Sequence, residues 1–105
     1  MMATIGELAT VVRSKNCSPF ELTLDVVFAS HEDYVKVRDK RLISAKAIAR
    51  AYGVPTDRVR DIICFDPADA VKVVMQRVVP SGAFGDTDVY GAQQHGPLLA
   101  MAIDL

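Results

Sequence analysis

The spacing of apolar residues changes several times along the chain, and each change marks an expected element. Ile5, Leu8, Val11 and Val12 recur at helical spacing, so residues 5–13 (IGELATVVR) are expected to form a short amphipathic helix. SKNCSP then breaks the pattern. In FELTLDVVFA, residues 20–29, the period falls to two. Phe20, Leu22, Leu24 and Val26 point one way, and Glu21, Thr23 and Asp25 the other, as in a strand. Ser30 followed by Asp33 is a capping pattern for a helix running to about Arg38. Ser44 caps a second short helix, AKAIARAY, which Gly53 should close in a left-handed turn before Pro55.

Residues 58–66 (RVRDIICFD) read as a buried strand ended by Pro67, with Asp66-Pro67 also able to open one helical turn. Residues 70–79 (AVKVVMQRVV) are rich in β-branched residues and read as another strand. A glycine-rich stretch follows, and LLAMAIDL supplies a last strand. The expected fold is a single α/β domain over residues 1–105, a small two-layer sandwich. Its mixed β-sheet would carry helices mainly on one face.

Half of the residues are hydrophobic, enough to bury a core and to exclude a disordered chain. The formal net charge is −1 and no block of Lys and Arg occurs, so neither nucleic acid nor an anionic membrane is an expected partner. No apolar stretch approaches the roughly 20 residues of a membrane span. The beginning of the chain lacks the pattern of a secretory signal. Cys17 and Cys64 read as reduced thiols, and the expected location is the cytoplasm.

Two stretches carry candidate chemistry. The first is SGAFGDTDVYGAQQHGP, residues 81–97. Gly82, Gly85, Gly91 and Gly96 permit positive φ or close backbone approach. Asp86 and Asp88 share a side of an extended segment. Tyr90, Gln93, Gln94 and His95 add a phenol, amide donors and an imidazole. Such a loop suits a small polar ligand, a cation or a protein partner. The ordinary alternative is a solvated connection with Asx turns. The second stretch is Arg13, Ser14, Lys15 and Asn16, placed where the first helix gives way to a strand. Two cations, a hydroxyl and an amide suit a carboxylate or phosphate. The ordinary alternative is that the cations offset the helix dipole. The polar face of Glu21, Thr23 and Asp25 is either a solvent-facing sheet or a wet cleft.

Other motifs are incomplete. Gly82 and Gly85 lack the Lys-Ser/Thr of a phosphate loop. His31 and His95 with the two cysteines show no zinc spacing, and no metal or cofactor is assigned. Cys17 has no paired histidine at a recognisable spacing. Cys64 is expected in the core, His31 exposed in the first turn of a helix, and Tyr34, Tyr52 and Phe65 as packing residues.

RSKNCSPFELTLDVVF, FDPADAVK and PSGAFGDTDVYGAQQHGPLL together resemble the small bacterial proteins of unknown function associated with the acyclic terpene utilisation A (AtuA) family. The resemblance covers nearly the whole chain. It departs at Cys17-Ser18, where the family pattern has Ala-Gly, so Cys17 looks like a substitution and not a nucleophile. The resemblance implies a domain that occurs alone or fused to the C-terminal end of a large AtuA-like protein. That large partner is linked to the breakdown of acyclic terpenes and related branched or hydroxylated acids. Arg13, Ser14, Lys15, Asn16, Glu21, Thr23 and Asp25 fall in the first motif, and Gly85, Asp86, Thr87, Asp88, Tyr90, Gln93, Gln94 and His95 in the second.

The leading expectation is the small subunit of a two-component cytoplasmic enzyme acting on small carboxylic acids, a hydro-lyase by class. Arg13 and Lys15 would hold the carboxylate, and Asp86 or His95 would move a proton. Two alternatives stand beside it. One is a non-catalytic interaction module. The other is a homo-oligomeric enzyme with a site between subunits.

Overall fold

A computed structural model describes residues 2–18, 20–76 and 96–105. The chain opens with β1 (Met2–Thr4) and one helical turn, α1 (Ile5–Leu8). Thr4 and Glu7 cap α1 reciprocally, each side chain bonding the other residue's backbone N–H. The helix expected over 5–13 stops there. Ala9–Ser18 form β2 instead, so Arg13, Ser14, Lys15 and Asn16 lie within a strand and not at a helix end. The physical reason is non-local. Thr10, Val11 and Val12 are β-branched, and the strand that follows pairs with Val11 and Val12, the register shifting at Thr10.

That partner is β3 (Glu21–Phe28), the strand expected from the alternating pattern. Leu22, Leu24, Val26 and Phe28 are buried on one face. Phe20 departs from the expectation: it stands exposed in the β2–β3 turn, where the Ser18 hydroxyl accepts from the backbone N–H groups of Phe20 and Glu21. Two helices follow as expected, α2 (His31–Asp39) capped by Ser30 and α3 (Ala45–Tyr52) capped by Ser44. Gly53 closes α3 at φ 65°. Then come β4 (Val59–Phe65), a 3-10 turn at Asp66–Ala68, and β5 (Ala70–Gln76). The described chain ends with α4 (Gly96–Ala100) and β6 (Ala102–Asp104). The expected terminal strand is therefore split, its first part helical.

β2, β3, β5 and β4 form a four-stranded sheet in that order, and β1 pairs with β6 in a separate two-stranded ribbon. Each described ladder is antiparallel, where the sequence suggested a mixed sheet. The fold is a small α/β domain. The inner sheet face contributes Leu22, Leu24, Val26, Val71, Val73 and Met75 to the core. Tyr34 and Val37 of α2 and Ile48 and Ala49 of α3 belong to the same core. α1, α4 and the ribbon join it, and the Ile5 N–H donates to the Met101 carbonyl at 2.9 Å.

β4 is an edge strand, and the buried strand expected at 58–66 is corrected here: most of β4 is exposed. Cys64 faces the helical side opposite Val71 yet is exposed, since among the described residues no strand lies beyond it to cover it. Phe65, expected to pack, alternates onto the outer face opposite Ala70 and is 56% exposed.

Candidate functional site

The antiparallel register of β2 with β3 sets Arg13 opposite Asp25 and Lys15 opposite Thr23. Directly opposed residues share a face of a sheet. Alternation within β3 adds Glu21. Arg13, Lys15, Glu21, Thr23 and Asp25 therefore gather on the outer face, away from the helices. β5 continues that face with Lys72 beside Asp25 and Val74 beside Thr23.

The electrostatics of the face are paired. The Arg13 Nε lies 3.7 Å from an Asp25 oxygen, and Arg60 reaches Glu21 at 3.2 Å. The Asp25 side chain is only 17% exposed while that of Arg13 is 68% exposed, so the carboxylate is sheltered and the guanidinium stays open to a second anion. Thr23 sits at the centre with 3% exposure. The cationic edge formed by Arg13 and Lys15 can hold a carboxylate. Asp25 and Glu21 are already engaged by arginines, so their part is to position those cations.

The structure does not bring every expected residue to this face. Ser14 alternates onto the inner side opposite Leu24 and is buried there, so it does not share a surface with Arg13 and Lys15. The backbone of Asn16 continues β2 opposite Leu22. Asp86, Asp88, Tyr90, Gln93, Gln94 and His95 lie outside the described residues, as do Gly85 and Thr87. Among the described residues no group of three or more His, Cys, Asp or Glu side chains is gathered for a metal.

A second polar cluster was not expected from the sequence. It lies at the other end of the sheet, where α2 meets the β4–β5 turn. The Tyr34 hydroxyl donates to Asp66 at 2.5 Å, and Arg38 donates to the same carboxylate oxygen at 3.1 Å. Arg38 also donates to Asp39 at 2.9 Å. His31 Nδ1 stands 2.6 Å from Asp69. The signal for it was present: His31, Tyr34 and Arg38 are spaced to share one helix face. Their partners lie about thirty residues on, in the FDPAD turn, and local pattern cannot supply that pairing.

The cluster is chemically quiet. The bonds from Tyr34 and Arg38 hold the Asp66 carboxyl below its usual range. Burial, then the bond to Asp66, pushes the Tyr34 phenol well above its ordinary value. Burial and the Asp66 charge raise the Cys64 thiol, which keeps it protonated and a poor nucleophile. This arrangement fastens α2 to the sheet.

One family model, a domain of unknown function (DUF4387), matches residues 5–102. No curated protein and no solved structure matches the chain.

Proposed function

The chain belongs to the DUF4387 family of unknown function, and from that premise we propose that it is the small subunit of a two-component cytoplasmic enzyme, completing a shared site with an AtuA-like large subunit. The substrates would be small branched or hydroxylated carboxylic acids, and the reaction class addition or removal of water. The observation that carries this reading is the outer sheet face, which no described helix covers. It gathers Arg13, Lys15, Glu21, Thr23 and Asp25 on one surface. That surface has cations to hold a carboxylate and, among the described residues, no group placed to move a proton to or from it. Half a site of this kind needs a neighbour. Asp86 and His95 are the candidates within the chain for the proton step.

The exposed apolar side chains Val11, Ile63 and Phe65 lie on the same face by register and favour a second reading, a docking module without catalytic residues. Native mass spectrometry of the tagged chain, drawn from its own cells at natural abundance, tests both. A stoichiometric complex with a much larger chain is the expected result, and a homo-oligomer alone would overturn it. Within such a complex, Arg13→Ala should lower turnover at least tenfold, since a lost charge-assisted hydrogen bond costs roughly 1.5–3 kcal/mol. An unchanged rate in an intact complex would favour the docking module.

A further inference from the structure

A cavity of about 380 Å³ lies on the helical side of the edge strand, between the end of α2, the start of α3 and β4. It shares no residue with the outer-face motif. Its floor is apolar: Val37, Ile43 and Val71 are buried in the core, and Ile62 packs against them. Its rim carries the polar residues Arg38, Arg41, Ser44 and Cys64. An apolar floor with a few convergent polar groups is the usual form of a small-molecule site, and this volume falls in the usual range.

The charge at the rim is uneven. Arg38 is held by Asp39 and Asp66. Arg41 has no ion-pair partner among the described residues. Two carboxylates already engage Arg38, so Arg41 is the rim cation with hydrogen-bond donors left for a ligand carboxylate. α3 begins at this rim with no acidic residue in its first turn.

The backbone at Arg41 gives a separate reason to look here. α2 and α3 end with the same closure. The N–H of Leu42 donates to Val37 across the end of α2, and the N–H of Val54 donates to Ala49 across the end of α3. Each closure needs one left-handed residue. α3 uses Gly53 at φ 65°, the unstrained choice, whereas α2 uses Arg41 at φ 51°. Stability alone would be served by glycine at both ends. The arginine instead places a cationic residue in the cavity lining.

We propose that this cavity binds a small monocarboxylate with a short apolar body, its carboxylate on Arg41 and its hydrocarbon on the Val37, Ile43, Ile62 and Val71 floor. The proposal goes beyond the shared-site reading and stands on different residues. The test is an amide NMR titration of the labelled chain with 3-methylbutanoate, using its neutral amide and inorganic phosphate as controls. The expected result is saturable shifts at Arg41, Ser44, Ala45 and Cys64 with the acid only. Arg41→Gly should weaken binding about tenfold or more while melting at the same temperature or higher. A purely structural arginine would not separate the two readouts. The proposal would be overturned by no saturable shift at millimolar acid, by equal binding of phosphate or the amide, or by unchanged affinity in Arg41→Gly. Shifts confined to Arg13 and Lys15 would also overturn it while leaving the outer-face reading intact.

Discussion

Asp66 accepts from the Tyr34 hydroxyl and from Arg38, and both donors favour its ionised form. Its folded-state carboxyl therefore titrates below the ordinary value of about 4. A depressed folded value gives stabilisation that is complete above the unfolded value and lost as pH falls through the folded one. Asp66→Asn should melt below the parent protein at neutral pH, and the difference should shrink as the solution is made strongly acidic. Thermal melts across the acid range check this. A difference that ignores pH would show that packing, and not the carboxylate charge, is responsible. The neighbouring Arg38 stacks 5.7 Å over the Tyr34 ring, so three side chains on α2 and its facing turn act as one unit.

At the scale of elements, local chemistry explains α2 and α3 well. Ser44 Oγ accepts from the Ala47 N–H at 3.1 Å, and Gly53 closes the other end. Ser44→Ala should destabilise the protein by about 1 kcal/mol, read from a urea unfolding curve. Both helices were legible because their start and stop signals lie within their own residues. β3 was legible because its alternation is strict from Leu22 to Val26. β2 was not: the spacing of Ile5, Leu8, Val11 and Val12 fits a helix, and only pairing with β3 decides for a strand. Cys64 and Phe65 were placed inside because their segment is apolar, but being last in a sheet is a property of topology, which no stretch of sequence carries. The same limit applied to the candidate site. Glu21, Thr23 and Asp25 could be grouped by period alone. Their association with Arg13 and Lys15 through a strand register, and the loss of Ser14 to the other face, could not.

On the scale of the whole molecule, one sheet face is covered by helices and the other, among the described residues, by none. Mixed charges beside Val11, Ile63 and Phe65 give that outer face the composition of a surface that meets another protein. Ile63 is 44% exposed, so Ile63→Lys should leave the melting temperature nearly unchanged. In the complex proposed above it should cause dissociation, seen by native mass spectrometry as the loss of the larger mass. Persistence of that mass would mean that contact is made elsewhere.

The ribbon of β1 and β6 has a mechanical consequence. Met2 pairs with Asp104 at its outer end and Thr4 with Ala102 at its inner end. A load applied to both ends of the described chain would open this ladder one rung at a time, beginning at the outer pair, and would not shear all its hydrogen bonds together. The next tie in line is the bond from Ile5 to Met101. Tension would thus detach the two outer strands first. The four-stranded sheet, whose ladders lie beyond that tie, would keep its register while the ribbon gave way.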